Sequence, residues 1–236
     1  SEKPDEHLIF SAHWDHLGKD EGKVGDQIYN GAHDNATGIA ASLVMAKAYS
    51  ELTVKSKRSS TFLMVTAEEQ GLLGSKYYSE HPIIPLAKTV ANINMDAMSV
   101  LGKTKDVAVI GMGKSELETY LEKAAKRQGR YLVQEGRPEA GYYYRSDHFS
   151  FAKQGVPALY AKVGEEPTDE ATAEYRKRTN VIVTGCSHHV CDRYRENWDL
   201  SGIQQDAQLL FEVGYDIVSS DDWPKWATTS EFQRTK

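Results

Sequence analysis

Five carboxylates and two imidazoles, on His13, Asp15, Asp34, Glu68, Glu69, Asp96 and His188, have the types and spacing of a two-metal hydrolytic site. Most stand at the edge of a hydrophobic run: SAHWDHLG follows HLIF, TAEEQG follows TFLMV, NMDAM follows TVANI, and GAHDNATG precedes a helical stretch. Chemistry at strand ends is what open α/β sheets support. Zinc-like divalent ions take carboxylate oxygen and imidazole nitrogen, and two ions close together need a carboxylate between them.

Asp34 is the natural bridge. It lies in a Gly-rich turn that permits close backbone approach before Asn35 and Thr37 open a helix. Taken alone, Asp34 and Asn35 would read as helix-cap residues. His13 and Asp15 form an H-x-D pair, in which Asp15 can hold the second ring nitrogen of a ligating imidazole. His16 and His33 read as structural histidines. Glu68 and Glu69 follow an apolar strand, where two charges need the compensation that a metal supplies. In extended backbone their side chains point opposite ways, so one can ligate while the other carries a proton. Residue chemistry alone does not choose between them, nor between His188 and His189. Asp96 would supply one metal with a terminal carboxylate.

Two further motifs are discounted. VIGMGKSE resembles a phosphate loop, but that loop needs Gly where Ala108 or Glu116 stands. Asn35-Ala36-Thr37 is formally a glycosylation sequon, yet a glycan there would block the bridging aspartate.

The elements that must position these groups alternate along the chain. Residues 8–12, 61–66, 89–94, 106–110 and 157–161 read as buried strands. Residues 115–128 form a helix with a Leu117, Tyr120, Leu121, Ala124, Ala125 stripe and a Ser115–Glu118 capping box. A long helix carries Ile203, Ala207, Leu210, Phe211, Ile217 and Val218. Residues 37–50 form another, apolar nearly all round. GLLGSKYY and SDHFSF are expected to be helical as well. Strands alternating with helices imply an α/β fold with a largely parallel sheet covered on both faces. Residues 164–195 are polar apart from VIVTG and read as a surface excursion that delivers His188 from outside the sheet. The tail after Ser220 reads as an irregular wrap docked through Trp223, Trp226 and Phe232.

A chain of 236 residues is read as one catalytic domain, residues 1–236, large enough to build its core without disulfides or metal. The net charge of -6 and the absence of a basic run argue against nucleic acid. No apolar stretch approaches the roughly 20 residues of a membrane span, so no membrane partner is expected. The sequence opens almost inside its first strand, at SEKPDEHLIF, so a leader or upstream segment is expected to have been removed. Cys186 and Cys191 flank His188 and His189; they are either a short-loop disulfide or a reduced pair.

Taken together, SAHWDHLG, GAHDNATG, TAEEQGLLGS, ANINMDAM, YRSDHFSFAKQGVPALY and RENWDLSGIQQDAQLLFEVGY closely resemble the dizinc aminopeptidase family. That family also includes glutamate carboxypeptidase II, glutaminyl cyclases and the transferrin receptor ectodomain. The resemblance runs nearly end to end. It implies a three-layer α/β fold of the zinc-dependent exopeptidase type, with a central mixed, mostly parallel sheet. It implies two zinc ions per chain: His13 and Asp96 on one, Glu69 and His188 on the other, and Asp34 bridging. Glu68 takes the general-base position and Asp15 orients His13. The family's spacing to Asp192 and Cys186 selects His188 over His189. The implied activity is removal of the N-terminal residue from peptides with a free N-terminus, in an exported (periplasmic or secreted) enzyme. Carboxypeptidase, glutaminyl cyclase and a catalytically silent binding module are the alternatives on this fold. Ser187 departs from the pattern, because many relatives carry there a tyrosine that helps hold the oxyanion. Tyr142, Tyr143 or Tyr144 would have to replace it, and Asp147 and His148 are expected to line the pocket.

Overall fold

The computed structural model describes residues 2–234. In chain order the elements are β1 (Lys3–His13), β2 (Gly18–Lys19), β3 (Ile28–Tyr29), α1 (Ala36–Ser50), β4 (Arg58–Val65), α2 (Leu73–Glu80) and β5 (Thr89–Asn94). They continue as β6 (Asp106–Val109), α3 (Leu117–Arg127), β7 (Tyr131–Gln134), α4 (His148–Lys153), β8 (Ala158–Val163), α5 (Glu170–Cys186) and α6 (Ser201–Ser219). The main sheet has the order β4-β1-β5-β8-β6-β7. Strands β4, β1, β5 and β8 are mutually parallel, whereas β6 runs antiparallel to β8 and carries β7 parallel to itself. The sheet is therefore mixed and mostly parallel.

Side chains alternate across the sheet as a period of two requires. From β1, Leu8, Phe10 and Ala12 enter one core with Met45 of α1, Leu121 of α3 and Leu210, Val213 and Ile217 of α6. Ile9 enters the other with Tyr78 of α2, Phe151 of α4, Tyr160 of β8 and Trp226 of the tail. Helices thus cover both faces, giving three layers. Because β1 lies between β4 and β5 in parallel register, the C-terminal ends of all three open on the same side. The polar stops of those runs are His13, Glu68 with Glu69, and Asp96.

The mixed, mostly parallel sheet itself is as the resemblance implies, with the reversal in the main sheet falling at β6. Other expectations need correction. The short edge strand β7 and the β2–β3 hairpin escape the pattern, being half-exposed or only two residues long. The surface excursion of residues 164–195 contains the 17-residue helix α5, which the sequence pattern does not reveal. That helix is capped by the Asp169 side chain on the Thr172 N–H, and Thr179 is its only buried residue, so it has almost no apolar stripe. Only half of the expected capping box forms at α3: the Ser115 N–H donates to Glu118 at 3.4 Å, alongside closer bonds from the Gly113 and Lys114 N–H groups, and the Ser115 side chain caps nothing. α1 buries one side only, leaving Leu43 and Val44 exposed. The tail docks as expected, with Trp226 buried and Phe232 against it.

Candidate metal centre

His13 ends β1 with its imidazole buried. Its Nδ1 lies 3.2 Å from the Asp15 carbonyl oxygen, which can only accept, so Nδ1 carries a proton and Nε2 faces the acidic cluster. The Asp15 carboxylate stands 3.7 Å from Nδ1 and is engaged elsewhere. It accepts the Glu68 N–H at 3.1 Å and the Glu69 N–H at 3.4 Å. Asp15 therefore orients His13 through its backbone and ties the β1 exit to the β4 exit through its side chain.

Asp34 has one oxygen toward each of two histidines. Its Oδ1 is 3.2 Å from His13 Nε2 and its Oδ2 is 3.2 Å from His188 Nε2. The second Asp96 oxygen accepts from Ser146 Oγ at 2.5 Å, while the first lies 3.6 Å from His13 Nε2. Glu69, only 4% exposed, places Oε2 at 3.2 Å from His188 Nε2 and Oε1 at 2.6 Å from His16 Nδ1. Donor atoms of His13, Asp34 and Asp96, and likewise of His16, Asp34 and Glu69, lie within 4.8 Å of one another. A mixed imidazole and carboxylate set of this size fits zinc.

The electrostatics agree with that fit. Burial disfavours a charged His13, yet the Asp34 and Asp96 carboxylates and the charge of Glu68 push its pKa up to about 11. The cluster carries an excess of negative charge that draws cations. Burial also raises Glu68, with Asp96, Asp147 and Glu69 adding to the effect against His13, to about 8. A carboxyl group so placed exchanges its proton close to neutrality.

Two connections hold the Asp34 loop. Asp192, four residues beyond His188, accepts the His33 and Asp34 N–H groups at 2.8 and 3.1 Å. Asn35 caps α1 at Gly38 and reaches across to the Ala97 N–H and the Met95 carbonyl. A Cβ at Gly38 would collide with the Asn35 side chain and the Met95 carbonyl, so only glycine allows this approach. Asn35 is thus buried in structural work, which excludes it as a glycan acceptor. Left-handed backbone marks Ala67, Leu72, Ala97 and His188, at φ of 55°, 61°, 51° and 56°. Such residues cost about 1–3 kcal/mol each and gather where geometry matters more than stability.

His188 follows α5 on a turn closed by the Cys186–Cys191 disulfide, and is 52% exposed. Its neighbour His189 turns its Nδ1 to the Ser187 carbonyl at 2.6 Å and does not reach the cluster. All seven residues singled out by sequence therefore stand in one corner, six of them facing each other and Asp15 tying them together.

The cluster opens into a cavity of about 980 Å³ lined by Glu68, Glu69, Asp96, His188, Tyr142, Arg145, Tyr160, Lys162 and the Val183–Thr184 side of α5. Tyr160 and Lys162 of β8 were not foreseen, because a strand pattern does not say which member reaches a neighbouring strand's end. Asp147 and His148 do not line the cavity as expected; both are fully buried behind it. Burial raises Asp147 to about 7 and lowers His148 to about 3. Of the tyrosines, Tyr143 is buried in the second core, while Tyr142 takes the Arg137 guanidinium and Tyr144 donates to Glu231. Ser187 lines the cavity.

The chain is similar to several known proteins. A 51-residue segment, 22% of this chain, is 49% identical to a probable leucine aminopeptidase 2 of Aspergillus oryzae and covers 10% of it. The Legionella pneumophila LapA aminopeptidase superposes with a TM-score of 0.69 at 19% identity, covering 94% of this chain and 54% of that one. A zinc aminopeptidase of Bacillus subtilis, BSAP, gives 0.63 at 23% identity, covering 93% and 47%. A glutaminyl cyclase of Bacteroides thetaiotaomicron, bound to N-acetylhistamine, gives 0.60 at 17% identity over 91% and 74%. The chain thus spans about half the length of the two solved aminopeptidases and shares the fold of all three structures. The profile of peptidase family M28 matches residues 1–213, and over that span, nearly the whole sequence, the chain belongs to this family.

Proposed function

We propose that residues 1–236 form the catalytic domain of a zinc aminopeptidase that holds two zinc ions. The observation that carries this reading is Asp34, whose two oxygens each lie 3.2 Å from a different histidine. His13 and Asp96 would hold one ion, Glu69 and His188 the other, with Asp34 shared. Bound zinc would lower the pKa of water and polarise a peptide carbonyl. Glu68 accepts the proton of the attacking water and returns it to the leaving amine. Its place on the cavity wall beside the cluster supports that role. Asp15 holds Glu68 and Glu69 in register through their backbone N–H groups. The surrounding carboxylates favour a substrate's free α-amino group, which restricts cleavage to the first residue. The Cys186–Cys191 disulfide supports an exported enzyme, since such bonds persist in oxidising compartments.

The test is metal analysis combined with hydrolysis of aminoacyl reporters. Two zinc ions per chain and chelator-sensitive release are expected. Glu68→Gln should keep both ions and lose roughly 10²–10⁴-fold in kcat. One zinc per chain with cyclisation of N-terminal glutamine would favour a glutaminyl cyclase, and near-normal turnover by Glu68→Gln would remove that residue from the reaction.

A further inference from the structure

His16 lies three residues beyond the end of β1, and its sequence context marks it only as one more histidine near a strand end. In the folded chain its side chain is 7% exposed and its Nδ1 sits 2.6 Å from Glu69 Oε1. That contact is short, yet neither atom has a hydrogen-bond partner of acceptable angle among the described residues. The Nε2 of the same ring is also buried without a partner. A buried imidazole left in this condition costs free energy, whereas donor atoms of His16, Asp34 and Glu69 gathered within 4.8 Å of one another could share an ion that satisfies them.

The ring is held where it is by packing. It meets His188 edge-on with ring centroids 5.7 Å apart. The loop leading to Asp34 passes so close that a Cβ at Gly31 would collide with His16 Cβ and Cγ. The two triads of the centre are also built alike. Each has one imidazole from the β1 end, the shared Asp34, and one carboxylate from beyond a neighbouring strand: His13 with Asp96 past β5, and His16 with Glu69 past β4. His188 stands on the His16 side, 3.2 Å from Glu69.

We propose that His16 is a direct ligand, through Nδ1, of the second metal position, which is then formed by His16, Asp34, Glu69 and His188. This inference rests on the two-metal reading above and goes beyond its five ligands. The consequence is an asymmetry between the positions. One imidazole with two carboxylates makes the first position the harder donor set. Two imidazoles with two carboxylates make the second better suited to borderline ions such as zinc, cobalt or nickel. The second position should therefore fill first when such an ion is titrated in.

The test uses cobalt(II) with the full chain. A ligated histidine keeps one exchangeable ring N–H, whose proton resonance is strongly displaced by the paramagnetic ion. Three such resonances are expected from the dicobalt protein, from His13, His16 and His188. His16→Ala should remove one of them, leave the His13 resonance in place, and weaken the tighter of the two binding steps by at least about 10–100-fold, the loss typical of removing a mere outer partner. Two resonances from wild-type dicobalt protein would overturn the proposal while leaving the two-metal reading intact, and that measurement needs no variant. Binding of a single equivalent of cobalt would overturn both. Persistence of the third resonance in folded His16→Ala would likewise remove His16 from the ligand set.

Discussion

The metal corner and the corner around Arg58 both bury charge, and they do so in opposite ways. The Arg58 side chain is wholly buried at the start of β4. Its Nε donates to Glu6 at 2.6 Å, and its two terminal nitrogens donate to the Ile217, Asp222 and Asp221 carbonyls at 2.9 Å. Glu6 in turn accepts from the Trp223 indole. Burial would raise Glu6, but the Arg58 hydrogen bond and charge hold its pKa below the usual value. At the other corner His13 Nε2, both His16 nitrogens and Glu69 Oε1 are buried with no well-formed hydrogen bond among the described residues, only close approaches to one another and to Asp34. One corner uses a saturated network to fasten β1, β4 and the tail. The other keeps donor atoms converged and unspent, backed by strained backbone. Satisfied buried charge signals architecture, and unsatisfied convergent charge signals a site built for something not supplied by the chain.

The largest test of that contrast is Arg58→Ala. It leaves Glu6 without its buried partner and three carbonyls without donors, at an expected cost of about 3–5 kcal/mol. In thermal unfolding this should lower Tm by roughly 6–20 °C for a chain of this size. Zinc affinity should not change; a parallel loss of zinc binding would mean that the two corners are not independent.

A smaller effect per bound ion is expected from the metal corner. Zinc at a hundred times its dissociation constant should stabilise the fold by about 2.7 kcal/mol per site, read as a Tm rise that chelator reverses. Asp34→Asn should abolish most of that gain and cost the metal-free protein less than Arg58→Ala does, because it weakens the attraction to His13 while relieving the repulsion from Asp96. If Asp34→Asn instead destabilised the metal-free protein as strongly as Arg58→Ala, the corner would be structural and the contrast would collapse.

The smallest effect lies at the surface beside Arg58. Hydrogen bonds from Lys3 and Lys57 hold the exposed Asp221 near a pKa of about 2, against an ordinary 3.8. A depressed carboxylate contributes stability above about pH 4 that is lost as pH falls through 2. Full exposure keeps that contribution slight. Acid unfolding of Asp221→Asn should therefore show a marginally flatter stability profile between pH 4 and 2 and match wild type above pH 5. A change of similar size at neutral pH would point to lost packing rather than charge.

Legibility from the sequence followed the same physics. Strands β1 and β5 were readable because burial on both faces leaves uninterrupted apolar runs, β4 was readable from its FLMV run at the half-buried sheet edge, and the polar residues that stop those runs were readable as the site. The edge strand β7 and helix α5 were not, since neither buries a stripe; for α5 the Asp169 cap, just ahead of the acidic first turn at Glu170, was the one available signal. Tyr160 and Lys162 could be placed on a strand but not in a cavity. His16 was passed over because nothing local distinguishes a ligand from a packed ring.

What the sequence by itself determined was the inventory: which donors stand at which strand ends, and that Asp34 sits on a turn able to bring it close to others. Those are local properties, set by where apolar runs stop. What only the tertiary structure decided was convergence. The splitting of Asp34's oxygens between two histidines and the approach of His16 to Glu69 depend on long-range closure, including the sequence separation of 154 between His188 and Asp34. That closure is made by α5, its disulfide-closed turn and the Asp192 hold on the Asp34 loop, and no pattern of neighbouring residues encodes the resulting distances.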